Sequence, residues 1–211
     1  MLDCRAILLI GPSGSGKTPL GEAMERQGFH GCRAVHFDFG SHLRAAVEHP
    51  EQYPLLTPAD VTLLDRKLRT NALLEDSEFH LAEKIIFSFV AQKQIGRSQY
   101  IILNGLPRHV GQAKAVGSLV RVKEVIHLDC SAETVRTRIS NNEGGDRTSR
   151  SDDSAAEVER KLEIFRERTL PLLDYYRKQS VPVRTVRIEK GMGIDDVLRR
   201  VVVACDQNSM S

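Results

Sequence analysis

A glycine-rich segment near the start of the chain has the spacing of a phosphate-binding loop. Residues 11–18, GPSGSGKT, match the pattern G-x-x-x-x-G-K-[ST] at every fixed position. Glycines let the backbone wrap around a phosphate with its N–H groups pointing inward, and the helix that follows adds a favourable partial charge. In such loops the lysine bridges the β- and γ-phosphates, and the last hydroxyl binds Mg²⁺. The predicted triphosphate-binding residues are Gly11, Ser13, Gly14, Ser15, Gly16, Lys17 and Thr18.

Other motifs narrow the class of nucleotide-binding protein. The guanine-reading string N-K-x-D of GTPases does not occur in the sequence. The tripeptide Asp38-Phe39-Gly40 spells a protein-kinase motif, but no H-R-D precedes it, so we interpret it as a coincidence. The loop therefore predicts a nucleoside triphosphate as ligand and leaves the reaction open.

The segment 101–108, IILNGLPR, allows two interpretations. Asn-Gly between apolar residues is a strong signal for a hairpin turn. A hairpin needs a second strand, however, and here a proline follows, with helical periodicity through Val110 and Ala113. We therefore expect a buried strand that delivers Asn104 and Arg108 to a site.

Short apolar runs alternate with helical periodicities, which predicts an α/β fold with a doubly wound, five-stranded parallel sheet. The strand candidates are residues 6–10, 100–103 and 125–128, with weaker ones at 34–37 and 183–188. The helical periods fall around residues 79–90, 158–176 and 194–205. Thr57-Pro58 and the pair Ser154 and Glu157 mark helix starts, and Pro171 is expected to break its helix.

Two segments interrupt this alternation. Residues 38–75 contain one or two helices and no convincing strand. Residues 140–153 are polar, glycine-rich and charged, which is typical of a surface loop.

Composition and charge exclude several other classes. The length of 211 residues fits one α/β domain, and a net charge of +2 with dispersed Lys and Arg does not suggest nucleic-acid binding. No apolar run approaches the length of a membrane span. The four cysteines have no metal-ligand spacing, so we expect reduced thiols in a cytoplasmic protein, and we expect a monomer.

Beyond the phosphate loop, five motifs occur in the order and spacing of one known family. Residues 38–44, DFGSHLR, stand where that family has S-T-G-D-x-L-R, and residues 104–112, NGLPRHVGQ, stand where it has D-G-F-P-R-x-x-x-Q. Arg138-Ile139 corresponds to R-[LI], and residues 150–153 correspond to R-x-D-D at the end of a lid. Residues 161–176 follow R-L-x-x-[YF]-x-x-x-T-x-P-L-x-x-Y-Y. Over nearly its full length the chain thus resembles the nucleoside monophosphate kinases, adenylate kinase most of all.

This resemblance implies transfer of the γ-phosphoryl group of MgATP to a nucleoside monophosphate, and it favours AMP as the acceptor. The chain would form a single kinase domain over residues 1–211. Within it, residues 38–75 would be a helical acceptor-binding insertion and residues 140–153 a short lid without zinc. Arginine suits this chemistry because its planar, permanently charged fork binds phosphate through two hydrogen bonds.

The matched motifs also imply roles for individual residues. Catalysis would use Lys17, Arg108, Arg150 and Lys161. ATP would contact the phosphate loop together with Arg138, Gly191 and Gly193. The acceptor would contact Phe39, Gly40, Leu43, Arg44, Leu73, Leu74, Gly105, Arg108 and Gln112. Magnesium would be held by Thr18 and, through water, by Asn104.

The chain departs from the family pattern at several of these positions. Asn104 replaces an aspartate, Phe39 a threonine and Lys161 an arginine, while the first lid arginine falls on Asn142, with Arg147 as its candidate substitute. A neutral amide is expected to position hydrated Mg²⁺ less well than a carboxylate. Three hypotheses therefore stay open: an adenylate-kinase-like enzyme, a kinase for CMP, UMP or another small acceptor, and a nucleotide-binding relative with weak catalysis.

Overall fold

The computed structural model describes residues 2, 4–143 and 154–206, with side chains up to Val201. This part of the chain contains one five-stranded sheet with the strand order β2-β3-β1-β4-β5. Its strands are β1 (Arg5–Ile10), β2 (Ala34–Asp38), β3 (Tyr100–Asn104), β4 (Arg121–Cys130) and β5 (Val183–Ile188). All four neighbouring pairs are parallel, which confirms the predicted sheet.

Helices cover both faces of this sheet. They are α1 (Lys17–Gln27), α2 (Phe39–Glu48), α3 (Pro58–Thr70), α4 (Phe79–Lys93), α5 (Val110–Leu119), α6 (Ala132–Ser140), α7 (Ala155–Ile164), α8 (Leu172–Lys178) and α9 (Ile194–Asp206). Successive side chains of a strand point to opposite faces, so the central strand serves two cores. Ala6, Leu8 and Ile10 of β1 pack with α4, α5 and α8, whereas Ile7 and Leu9 pack with α1 and α9.

Local signals place several helix ends as the sequence predicts. Thr57 and Asp60 form a complete capping box at the start of α3, with a proline in the first turn. At the start of α7, Ser154 accepts a hydrogen bond from the N–H of Glu157 at 3.3 Å. The Glu157 carboxylate accepts from the Asn71 amide at 3.4 Å and pairs with Arg160 of its own helix at 3.7 Å.

The helix predicted across residues 158–176 is interrupted as expected. α7 ends at Ile164, a π-helical stretch covers Phe165–Thr169, and α8 begins at Leu172, directly after Pro171. The ring of Pro171 and its missing N–H prevent a continuous helix at this point. The interruption brings Thr169 to the carboxyl edge of the sheet, where it lines a cleft.

The segment after β3 turns away from the sheet instead of forming a hairpin. Asn104 is the last residue of β3, and Gly105 has a φ of +82°, a left-handed conformation that favours glycine. The chain then reaches α5 at Val110. In the sheet, Asn104 pairs with Leu9 on one side and Asp38 on the other, so the ends of β2 and β3 meet at one edge.

Residues 39–70 form α2, a short 3-10 turn at Pro50–Gln52 and α3, which lie beside this edge. Over the residues that the model describes, no helix is both long and apolar enough to cross a lipid bilayer.

Candidate active site

A cleft at the carboxyl edge of the sheet brings together most of the residues that the motifs single out. Those that line it are Gly11, Ser13, Gly14, Gly16, Lys17, Thr18, Phe39, Gly40, Leu43, Arg44, Leu73, Leu74, Asn104, Gly105, Arg108, Gln112, Arg138 and Lys161. The motifs assigned no role to four further polar residues that line the cleft, Asp38, Lys67, Asn71 and Thr169. Ligands of open α/β sheets bind at this edge, beyond the ends of the strands.

Four predicted residues lie elsewhere. Ser15 is buried within the loop and its hydroxyl has no hydrogen-bond partner in the described part of the chain. Gly191 lines a separate shallow depression after β5, and Gly193 is not among the described residues that line the cleft. Arg150 lies outside the described residues, as do Arg147 and most of the predicted lid.

The phosphate loop has the geometry of an anion cradle. Gly16 precedes α1 with a φ of +95°, which only glycine adopts readily, and it directs the chain into the helix at Lys17. The first N–H groups of a helix have no partner within it, so they are available to an anion. A Cβ on Gly11 would lie 2.6 Å from Ser15 Oγ, so the loop packs too closely for a larger residue. Lys17 Nζ donates to the carbonyls of Gly11 at 2.7 Å and Pro12 at 2.8 Å, which holds it over the loop.

Two arginines line the same cleft as the phosphate loop. Within the described ranges, the guanidinium groups of Arg44 and Arg108 make no hydrogen bond and no ion pair. Burial lowers the pKa of the Arg108 guanidinium below the usual arginine value, because the charge has lost water without gaining a partner. The backbone of Arg108 is held firmly: its N–H donates to Gln112 Oε1 at 2.7 Å and its carbonyl accepts from Thr169 Oγ1 at 2.8 Å.

Gln112 and Leu74, which the motifs assign to the acceptor base, are engaged with the protein itself. Gln112 is 1% exposed, and its amide donates to the Leu74 carbonyl at 2.8 Å while accepting from the Arg108 N–H. His109 caps α5 through Nδ1 and approaches the same Leu74 carbonyl through Nε2 at 3.2 Å. Both lone pairs of that carbonyl are therefore engaged. These bonds fix the wall of the cleft, and base reading by Gln112 stays a prediction.

Arg138 connects the phosphate loop to the segment after β5. It is 6% exposed, and it donates to the Gly14 carbonyl at 3.3 Å and the Met192 carbonyl at 3.1 Å. Glu143 pairs with the same guanidinium at 3.1 Å. The side chain is thus held between the loop and Gly191, on the side where the resemblance places the donor base.

A carboxylate that the motif analysis left without a role lies next to Thr18. The Thr18 hydroxyl donates to Asp38 Oδ2 at 2.7 Å. Asn104 is 3% exposed, and its amide nitrogen donates to the same Asp38 oxygen at 2.9 Å and to Thr18 Oγ1 at 3.0 Å. The Asn104 amide nitrogen thus holds Asp38, and the predicted role of the Asn104 carbonyl towards a metal-bound water stays a prediction. The sequence signal for this contact was that two strand candidates, residues 34–37 and 100–103, are each followed by a polar residue.

A cluster of stacked rings adjoins the cleft at Phe39. Phe39 is only 7% exposed, with its ring centroid 6.2 Å from that of Phe37. His42 stacks on Phe37 with centroids 4.8 Å apart and bonds to the Tyr53 hydroxyl at 2.8 Å. Burial lowers the pKa of His42 to about 4, so this imidazole is neutral near pH 7.

No protein-family model matches the chain. UMP-CMP kinase 1 of Oryza sativa subsp. japonica is 24% identical over 198 residues, which cover 92% of this chain and 71% of that protein. Adenylate kinase of Porphyromonas gingivalis is 27% identical over 208 residues, or 95% of each protein. Adenylate kinase of Treponema denticola is 25% identical over 203 residues, which cover 83% of this chain and 88% of that protein.

Among solved structures, a gluconokinase from Sinorhizobium meliloti 1021 matches 99% of this chain and 95% of its own, with a TM-score of 0.53 and 15% identity. At that identity the match supports the fold alone, which is a parallel α/β fold. The sequence matches extend over most of the chain. The chain is therefore similar in sequence to adenylate kinases and UMP-CMP kinases, which confirms the predicted resemblance to nucleoside monophosphate kinases.

Proposed function

We propose that the protein is a nucleoside monophosphate kinase that transfers the γ-phosphoryl group of MgATP to an acceptor, with AMP as the preferred one. The carrying observation is that Arg44 and Arg108, whose guanidinium groups have no partner among the described residues, line the same cleft as the phosphate loop. Arg44 is exposed, whereas Arg108 is partly buried, and a partly buried guanidinium without a carboxylate is unfavourable unless an anion binds it. Transfer to a phosphate acceptor requires a second phosphate-binding site in the cleft, besides the phosphate loop.

The donor half of the cleft would hold ATP. Backbone N–H groups of the loop and the start of α1 surround the triphosphate, and Lys17 moves from the loop carbonyls to the β- and γ-phosphates. Arg138 lies between the loop and the segment that contains Gly191 and Gly193, where the donor base would stack on its guanidinium. The rigid backbone anchors of Arg138 support this role because they limit its rotation.

The acceptor half would hold the monophosphate. Arg44 projects from α2 and Arg108 follows β3, so two separate elements grip the phosphate from different directions. Leu43, Phe39 and Leu73 form the apolar surface on which a base can rest. Because Gln112 and the Leu74 carbonyl already bond within the protein, base discrimination would depend mainly on the shape of this surface.

The reaction needs positioning and charge neutralisation more than covalent help from the protein. An oxygen of the acceptor phosphate attacks the γ-phosphorus, and the bond to the β–γ bridging oxygen breaks, so that ADP leaves. Three cations that line the cleft would neutralise the negative charge of the transferring group: Lys17, Arg108 and Lys161. Arg150, which lies outside the described residues, is proposed as the cation that the lid contributes.

Magnesium fits the residues beside the loop. The Thr18 hydroxyl and the neighbouring Asp38 carboxylate are oxygen ligands of the kind that this hard cation prefers. When bound, the ion would neutralise charge on the β- and γ-phosphates.

A pyrimidine monophosphate is the second candidate acceptor. The buried phenyl ring of Phe39 replaces the threonine of the adenylate kinase pattern, so a hydroxyl is missing from the acceptor surface. One sequence relative is itself a UMP-CMP kinase.

A coupled ADP-release assay with AMP, CMP, UMP, GMP and the deoxynucleotides tests the proposal. Turnover that is fastest with AMP supports the preferred acceptor, and a preference for CMP or UMP supports the alternative. Absence of transfer to any acceptor, in a protein that binds ATP by calorimetry, would reject the enzymatic proposal in favour of a nucleotide-binding relative. Lys17→Ala is the matched control because it removes the predicted phosphate contact in the same fold.

A further inference from the structure

We infer that Asp38, at the end of β2, is the carboxylate that holds the hydrated Mg²⁺ of the donor nucleotide, and that Asn104 positions Asp38 for this task. The inference rests on the proposed kinase function and adds a metal-positioning residue to it. The matched motifs assign the metal water to position 104, where this chain has an amide. They give Asp38 no role at all.

The first argument is geometric. Asp38 Oδ2 lies 2.7 Å from Thr18 Oγ1, the predicted metal ligand, and Asp38 also lines the cleft. An ion bound to the threonine oxygen is therefore within reach of the carboxylate through one water molecule. The other oxygen of the carboxylate, Oδ1, accepts from the N–H of Ser41 at 3.0 Å and caps α2, which fixes the orientation of the group.

The second argument is the hydrogen-bond capacity of Thr18. A hydroxyl has one proton to donate and two lone pairs to share. Thr18 gives its proton to Asp38 and accepts one bond from Asn104 Nδ2 at 3.0 Å. One lone pair of the threonine oxygen remains for a metal ion, and the proton points away from it towards the carboxylate.

The third argument explains the amide. Asn104 Nδ2 donates to Asp38 Oδ2 at 2.9 Å, and the two residues are direct partners in the register of β2 and β3. An aspartate at position 104 would put a second carboxylate at that distance, where two like charges disfavour ionisation of both. An amide donates a bond instead. Compared with the matched motifs, which have serine at 38 and aspartate at 104, the carboxylate has moved from β3 to the adjacent strand β2.

The test measures metal binding directly. Mn²⁺ replaces Mg²⁺, and its affinity for the protein with a non-hydrolysable ATP analogue is read by electron paramagnetic resonance. Asp38→Asn keeps a side chain that can cap α2. It should weaken Mn²⁺ binding by about 10–100-fold, the usual effect of losing a residue that holds a metal ligand in place. Calorimetry should show that metal-free ATP binds this variant at least as tightly as it binds the wild type. The matched control, Asp129→Asn, removes a carboxylate from the carboxyl end of β4, near Arg187, and should leave Mn²⁺ affinity unchanged.

The double variant Asp38→Asn/Asn104→Asp returns the carboxylate to β3 and keeps one amide and one acid in the pair. It should recover Mn²⁺ affinity to within about threefold of the wild type, since the exchanged pair keeps the charge of the site. Asn104→Asp alone should melt at a lower temperature than the wild type or the double variant in the absence of metal, because two carboxylates then face each other.

Each outcome decides a part of the inference. Mn²⁺ affinity of Asp38→Asn within twofold of the wild type would overturn the role of Asp38. If that variant does not fold, the double variant decides alone, and a tenfold or larger loss of Mn²⁺ affinity in it counts against the exchange. An unchanged melting temperature for Asn104→Asp would refute the positioning role of Asn104. None of these readouts needs an acceptor, so a failed substrate panel would reject the kinase proposal without deciding the metal site.

Discussion

Replacing Arg108 with methionine should separate activity from stability, because its charge lies in the cleft without a protein partner. The predicted phosphate grip is bidentate, and hydrogen bonds to charged groups contribute roughly 1.5–3 kcal/mol each. Losing both should raise the barrier by about 3–6 kcal/mol, or reduce kcat/KM for the acceptor by ~10²–10⁴-fold. The KM for ATP should change little, since Arg108 follows β3 and is not part of the phosphate loop.

The stability of the nucleotide-free protein should move in the opposite direction. The Arg108 guanidinium is partly removed from water without a partner among the described residues, and methionine fills a similar volume without a charge. Urea unfolding of Arg108→Met without nucleotide should therefore give a free energy of unfolding about 1 kcal/mol or more above the wild type.

Arg168→Met is the matched control. Arg168 forms a two-bond ion pair with Glu75 at 3.0 and 2.9 Å on the surface. Its loss should lower the free energy of unfolding by ~0.2–1 kcal/mol and leave acceptor kinetics unchanged. The reasoning is refuted if Arg108→Met destabilises the protein like the control, or if its main kinetic effect falls on ATP.

Three further substitutions test the phosphate loop, the wall of the cleft and the ring cluster around His42. Lys17→Ala should abolish measurable transfer while urea unfolding stays within about 1.5 kcal/mol of the wild type, since the bonds to the Gly11 and Pro12 carbonyls contribute modestly to stability. Retained transfer would contradict the loop assignment. Gln112→Ala should lower the free energy of unfolding by about 1–3 kcal/mol without nucleotide, because it strands the Arg108 N–H. Unchanged stability would instead favour a side chain that serves only the base. The pKa of His42 is about 4 when folded and near 6.5 when unfolded, so the unfolded state takes up the proton first as pH falls. The free energy of unfolding should therefore decline by about 1–2 kcal/mol as the pH falls from 6.5 to 4.5. Urea unfolding at several pH values should show that this contribution to the pH dependence is missing in His42→Gln. An identical slope in the variant would show that His42 is not the group responsible.

Local sequence rules were sufficient for the elements and for the phosphate loop. The sheet, the break at Pro171 and the start of α3 follow from apolar runs, a missing N–H and a capping box, which act over a few residues. The same holds for the loop, whose glycines and lysine are contiguous. The resemblance to nucleoside monophosphate kinases also depended on linear motifs, and the sequence relatives bear it out.

Only the tertiary structure decided which polar groups face each other. Asp38 and Asn104 are 66 residues apart, and Thr18 and Asn104 are 86 residues apart, yet all three bond at the ends of neighbouring elements. The Gln112 amide likewise bonds to the Leu74 carbonyl, 38 residues away, although both residues line the cleft. Residue types specify what each group can donate or accept, but parallel strand register specifies its partner. The position of the carboxylate beside Thr18 is for that reason a property of the folded sheet.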